Sequence, residues 1–190
     1  MKRDEKTLER IYERDKTGAF IISISVDHYV DVFNELDSAP WRRRDIDHDL
    51  RLFLEDCSAD IPFKYEIILQ FNVAQEKQDT AREERLKMGL KTYFTFVRSS
   101  LQRKIRNDYE RCILYILAAF FLLFGAYALR AASSNIVLVT LIDGVGIAGW
   151  VFLWEAISTF AFKGRDARDR YKEYERFSTA EIHFSYSEIY

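Results

Sequence analysis

Two blocks of the chain, Cys112 to Leu129 and Ile136 to Trp154, contain one charged side chain between them, Asp143. As helices rising about 1.5 Å per residue, each reaches roughly 27 Å and is long enough to cross a bilayer's hydrocarbon core. Only Arg130 to Asn135 separates them, so the two helices must be antiparallel neighbours. The expectation is a membrane protein with a two-helix hairpin: helices over 112–129 and 136–154 joined by an external turn over 130–135. The average composition hides this. With 48% hydrophobic residues, 31% charged and a net charge of −2, the chain resembles an ordinary soluble domain until the two blocks are set aside.

Flanking charge sets the expected orientation. Arg98, Arg103, Lys104, Arg106 and Arg111 precede the first block, and Lys163, Arg165, Arg168, Arg170 and Lys172 follow the second, against Arg130 alone in the turn. Basic residues stay on the cytoplasmic side, so both termini are expected inside an inner (plasma) membrane. Trp150 and Trp154 fall at the cytoplasmic end of the second helix, where amphipathic rings favour the headgroup level. The charged opening residues lack the apolar core of a secretory signal, which agrees with a cytosolic N-terminus.

Outside the blocks, three segments alternate with period two. Phe20, Ile22, Ile24 and Val26 share one face; so do Tyr65, Ile67, Leu69, Phe71 and Val73, and Ile182, Phe184 and Tyr186. Each segment reads as a half-buried strand. Ile46, Leu50, Phe53, Leu54 and Cys57 form a helix-spaced stripe between the first two, giving a β-α-β unit over 18–75 with parallel strands. Three such strands are unstable alone, so the strand within 179–190 is expected to join the N-terminal sheet. Leu86, Leu90, Tyr93, Val97, Leu101, Ile105 and Tyr109 mark an amphipathic helix over 76–111, and residues 155–178 a second one, together forming a stalk. The near eleven-residue spacing of 86, 97, 108 and of 90, 101, 112 favours almost straight packing. Residues 1–17 read as a charged, frayed helix. The fold class is therefore α+β with a membrane part: a small three-stranded α/β cytosolic domain built from both chain ends, a helical stalk and a transmembrane hairpin.

Asp143 is the first candidate for chemistry. It lies about 10 Å inside the outer edge of the second span, where a charge costs several kcal/mol. It either lines an ion path in an oligomer or is held by hydrogen bonds, with Thr140 or Tyr127 as partners. Gly144, Gly146, Ala148 and Gly149 allow close helix approach, and self-association through the second span is expected. If the hairpin turns near Ala132 and Ser133, facing residues have numbers adding to about 266, which sets Glu155 beside Arg111 as an interfacial ion pair, Gly146 near Ala119 and Phe120, and Gly149 near Ala118. In the cytosolic part, Arg42, Arg43 and Arg44 could hold a small anionic ligand, and Asp27 with His28 follow the first strand, where α/β sheets place ligand groups.

Other motifs fail on context. Gly144-x-Gly146-x-x-Gly149 lies in an apolar span with no strand before it, which excludes a dinucleotide site. Asp45-Ile-Asp-His-Asp49 resembles a calcium loop, but Leu50 stands where that loop needs glycine, so a capped helix start is the better reading. Cys57 and Cys112 make no metal set or nucleophile with an evident base. No cofactor, metal, catalytic residue or nucleic-acid partner is expected. The expected partners are the lipid bilayer, further copies of the chain, and a protein or small anionic ligand at the cytosolic domain. The function expected is that of a sensor, adaptor or membrane effector whose cytosolic domain binds a partner or signal. A small oligomeric ion channel or transporter using Asp143 is the alternative.

Overall fold

Alternating apolar residues build a four-stranded mixed sheet: β1 (Glu13–Arg14), β2 (Phe20–Val26), β3 (Ile67–Val73) and β4 (Glu181–Ser185), in that order across the sheet. The computed structural model describes residues 5–40, 43–73, 78–132 and 134–186. β2 and β3 are parallel, with Phe20 opposite Ile67 and Val26 opposite Val73. β4, from the far end of the chain, lies parallel to β3 with Ile182 opposite Leu69.

The fourth strand, β1, lies where a frayed helix was expected over 1–17. The helix there, α1 (Glu5–Ile11), is short, and β1 then pairs antiparallel with β2. Gly18 permits the reversal: it adopts φ +88°, a conformation side chains rarely allow, and its N–H donates to the Asp15 carbonyl. Leu8 is fully buried and anchors α1. The Arg14 guanidinium lies over the rings of Phe20 and Tyr65, at 4.6 and 4.9 Å, and pairs with Glu5 and Glu9.

One face of the sheet is apolar and buried. Phe20, Ile22, Ile24, Leu69, Phe71, Val73 and Ile182 are buried against α2 (His48–Asp60), the start of α3 (Thr80–Ala132) and the end of α5 (Gly164–Thr179), whose own buried residues include Leu54, Leu86, Leu90, Phe94, Tyr174 and Phe177. Asp47 caps α2 by accepting from the N–H groups of Asp49 and Leu50. Two details differ from the periodicity reading. Phe53 is 44% exposed, and on α3 it is Phe94, stacked on Phe177 at 5.2 Å, that is buried more fully than Tyr93. Much of the opposite face is polar: Ser23, Gln70 and His183 align across the three parallel strands, as do Ser25, Asn72 and Ser185, while at its other end Ile21 and the buried Ile68 lie beside Glu181. Parallel sheets are usually covered on both faces, and these polar rows allow this one to stay open.

Arg176 ties α5 to α2. Only 9% exposed, it donates from Nη2 to the Ser58 carbonyl (2.7 Å) and from Nη1 to that of Ile61 (3.0 Å), satisfying carbonyls at the end of α2. The Tyr174 hydroxyl donates to Glu55 at 2.6 Å. The chain divides into two units, one holding the sheet (described residues up to Ser99 and from Tyr171) and one wholly helical, Ser100–Arg170. The helical unit contains the rest of α3, α4 (Ile136–Ser158), a π-helical turn (Thr159–Lys163) and the start of α5. α3 thus runs through half of the expected turn, and α4 continues four residues past the expected end at Trp154. Both apolar segments are long enough to cross a membrane, and only 17% and 11% of their most apolar windows are buried.

Truncating Ile182 to Ala should cost roughly 2–5 kcal/mol in urea unfolding, and it should raise protease cleavage within 18–73 although the substitution lies more than a hundred residues away. Alkaline pH should also weaken the sheet unit. Burial pushes the phenols of Tyr174 and Tyr186 up, and hydrogen bonds to Glu55 and Glu83 add to the effect. Unfolded tyrosine loses its proton near pH 10 while the folded groups keep theirs, so this stability is complete below about pH 10 and declines above it. The urea midpoint should fall between pH 8 and 11, and fall less in a Tyr174→Phe, Tyr186→Phe double variant.

Candidate functional site

Within the helical unit, α4 packs against α3 through its glycines. A Cβ on Gly149 would come within 2.8 Å of the Leu123 side chain and 3.2 Å of its backbone nitrogen, so glycine is needed there; Gly146 lies 3.8 Å from Ala126 by the same measure. Gly144 has open space beside it, and Ala148 is half-buried. The Cys112 thiol donates to the Ala156 carbonyl at 3.5 Å, and the rings of Tyr115 and Phe152 lie 5.9 Å apart. Facing residues therefore have numbers adding to 267–273, not 266. Gly146 and Gly149 meet Ala126 and Leu123 rather than residues 118–120, because α3 continues to Ala132 and moves the reversal toward Asn135, the N-cap of α4.

That shift brings Asp143 to Arg130. The Arg130 guanidinium donates to the Asp143 carboxylate in a close ion pair, with the two side chains 59% and 45% exposed. Neither expected hydrogen-bond partner serves Asp143: Thr140 donates to the Ile136 carbonyl at 3.0 Å, and Tyr127 is 76% exposed. Sequence reasoning treated Arg130 as a charge in the turn. Arg130 lies two residues before the end of α3 and Asp143 seven residues after the start of α4, and the long arginine side chain spans that offset.

The other candidates are dispersed. Arg42 lies outside the described residues. Arg43 is exposed, while Arg44 donates to the carbonyls of Asn34 and Glu35 and so braces the loop before α2. Asp37 in that loop accepts from the N–H groups of Asp45 and Ala39, which holds its carboxyl below the usual range. Asp27 is exposed, and the His28 backbone N–H donates to Asp31 at the start of a 3-10 turn (Tyr29–Val32). Glu155 and Arg111 line one pocket in the helical unit.

A cluster absent from the sequence reading sits at the carboxyl ends of the parallel strands. Tyr186, just after β4, donates to the buried Glu83 of α3, and its hydroxyl lies 2.5 Å from that of Tyr29. The Asp79 N–H reaches the Tyr29 hydroxyl at 3.3 Å. Three distant segments are joined here through one chain of hydrogen-bonded oxygens. Among the described residues no group of His, Cys, Asp and Glu is arranged to hold a metal ion.

Compared with models of known protein families, with curated proteins and with solved structures, the chain matches none.

The hairpin contacts lead to a paired expectation in detergent micelles. Gly149→Val should destabilise the helical unit by about 1–3 kcal/mol, since the Leu123 backbone cannot yield, whereas Gly144→Val should change its stability by less than about 0.5 kcal/mol. Titration with a denaturing detergent, followed by circular dichroism, checks both.

Proposed function

We propose that this chain is a two-span inner-membrane protein whose hairpin self-associates and whose cytosolic α/β domain binds a partner or signal, making it a sensor, adaptor or membrane effector. The observation that carries the reading is the Arg130–Asp143 ion pair on the uncovered surface of the hairpin. A core helix of a soluble protein would have its apolar residues covered, yet Phe121, Phe124 and Leu117 are among many left exposed here. Hydrocarbon suits those residues. It does not suit a salt bridge about 10 Å deep, for which water or another polar surface is needed. A second copy of the hairpin supplies such a surface, and Gly144 and Gly125, with open space beside them, permit close approach. α3 is one helix running from the sheet unit into the apolar segment, which supports a coupling of the two parts.

The same ion pair favours one second reading, an oligomeric channel or transporter, because charged groups within spans often line ion paths. Ion flux in proteoliposomes, lost in Asp143→Asn, separates it from an assembly that does not conduct.

The test of the main reading combines topology and assembly. Both native cysteines are buried, so an introduced Ser134→Cys should react with an impermeant thiol reagent from outside intact cells, and Thr7→Cys only after lysis. In nanodiscs the protein should form a defined oligomer. Arg130→Gln should reduce it to smaller species, and exchanging the two charges (Arg130→Asp with Asp143→Arg) should recover assembly. A monomer under all these conditions would overturn the self-association.

A further inference from the structure

The sheet ends in two unlike edges. Along a strand the backbone N–H and C=O groups of successive residues point alternately to the strands on either side. The Phe20 N–H donates to the Glu66 carbonyl, so Phe20, Ile22, Ile24 and Val26 turn their backbone groups toward β3, while Ile21, Ser23 and Ser25 turn theirs outward. β1 covers only the first of these three, setting Glu13 opposite Ile21. Among the described residues no backbone group bonds to the outward N–H and C=O of Ser23 and Ser25, and both serines are exposed.

Open edges are ordinarily guarded by charge, proline or a bulge. β4, at the other edge, carries exposed Glu181 and His183. β2 has no such guard, since Phe20 to Val26 contains only Phe, Ile, Ser and Val. Its uncovered stretch, Ile22-Ser23-Ile24-Ser25-Val26, has the same pattern in both directions. Laid antiparallel against its own copy about Ile24, it sets Ser23 of one chain opposite Ser25 of the other and Ile22 opposite Val26. Each serine pair then exchanges two N–H to C=O bonds, and every outward group of Ser23 and Ser25 is used. A shift one way meets Ile21, which β1 already occupies. A shift the other way needs Asp27, where the chain bends out of the strand.

We propose that β2 pairs antiparallel with β2 of a second copy of this chain, Ser23 opposite Ser25, joining the two sheets into one. The geometry of this contact does not depend on the hairpin. Its occupancy rests on the membrane reading above: four hydrogen bonds with little new apolar area hold two free domains weakly, whereas chains confined to one bilayer meet at a higher effective concentration.

The experiment uses the full chain in proteoliposomes. Both native cysteines are buried, so Ser23→Cys and Ser25→Cys copies can be oxidised separately or mixed. Mixed copies should form disulfide-linked dimers about tenfold faster than either variant alone, because directly opposed Cβ atoms lie about 5 Å apart and diagonal ones roughly 7–8 Å. Linkage of either variant with itself as fast as in the mixture would overturn the register. Hydrogen exchange gives a second reading. The amides at 23 and 25 should exchange about tenfold more slowly in wild type than in a Ser23→Lys, Ser25→Lys chain, whose exposed charges repel across the contact. Mixing that chain with a Ser23→Glu, Ser25→Glu chain should restore the protection. Protected amides without any disulfide would place another strand on this edge and overturn pairing with its own copy. Neither linkage nor protection, in chains that resist carbonate extraction, would overturn the edge contact and leave the membrane reading standing. Release by carbonate would overturn the membrane reading and the occupancy of this contact with it.

Discussion

The sheet unit is built around β3. That strand is paired on both edges, and Leu69 and Phe71 are completely buried beneath α2, α3 and α5. Removing those side chains from water contributes roughly 1.5–3 kcal/mol each, more than any surface ion pair in the unit can supply. The polar contacts act on a different link, that of uniqueness. Arg176 fixes where α5 meets the end of α2, Tyr174 reaches Glu55, and Tyr186 reaches Glu83. Each would leave a buried polar group without its partner if the helices slid along the sheet, so together they select one packing among several of similar apolar area.

In the helical unit the same division holds with different chemistry. Gly149 lets two backbones approach until Leu123 fills the remaining space, and dispersion is the main attraction available to surfaces that are otherwise equally apolar. Arg130 and Asp143 then set the level of one helix against the other. Their exposure distinguishes them from the buried polar contacts of the sheet unit: the pair joins the two helices yet lies on the hairpin's surface.

Much of this was legible in order of residues. The three alternating segments became β2, β3 and β4 because a period of two with β-branched and aromatic residues has few other uses. The acidic run Asp45 to Asp49 marked the start of α2, with Asp47 as its cap, and the two apolar blocks marked their helices. What escaped had physical causes. β1 is two residues long and charged, and only the conformation of Gly18 brings it back to the sheet. Tyr186, Glu83 and Tyr29 belong to three segments whose meeting depends on the sheet order, which no local pattern encodes. The Arg130–Asp143 pair needed the hairpin register to within a turn, and a shift of a few residues in the reversal changed which groups face each other. The loop arginines were misjudged in another way: Arg44 is occupied by carbonyls, a demand of irregular backbone that composition does not reveal.

The position of β4 in the chain has a consequence for biosynthesis. β2 and β3 are complete once residue 73 has been made, but the free edge of β3 is closed only by residues 181–185, after both apolar helices have left the ribosome. At about 5–20 residues per second, synthesis of the intervening hundred residues takes roughly 5–20 s. Through that interval the nascent chain carries an unpaired edge beside Ile67, Leu69, Phe71 and Val73, with the covering helix α5 not yet made. The sheet half of this chain thus keeps one edge of β3 uncovered until its last strand emerges, and a ribosome stalled between the helices would leave exposed the strand most prone to aggregate.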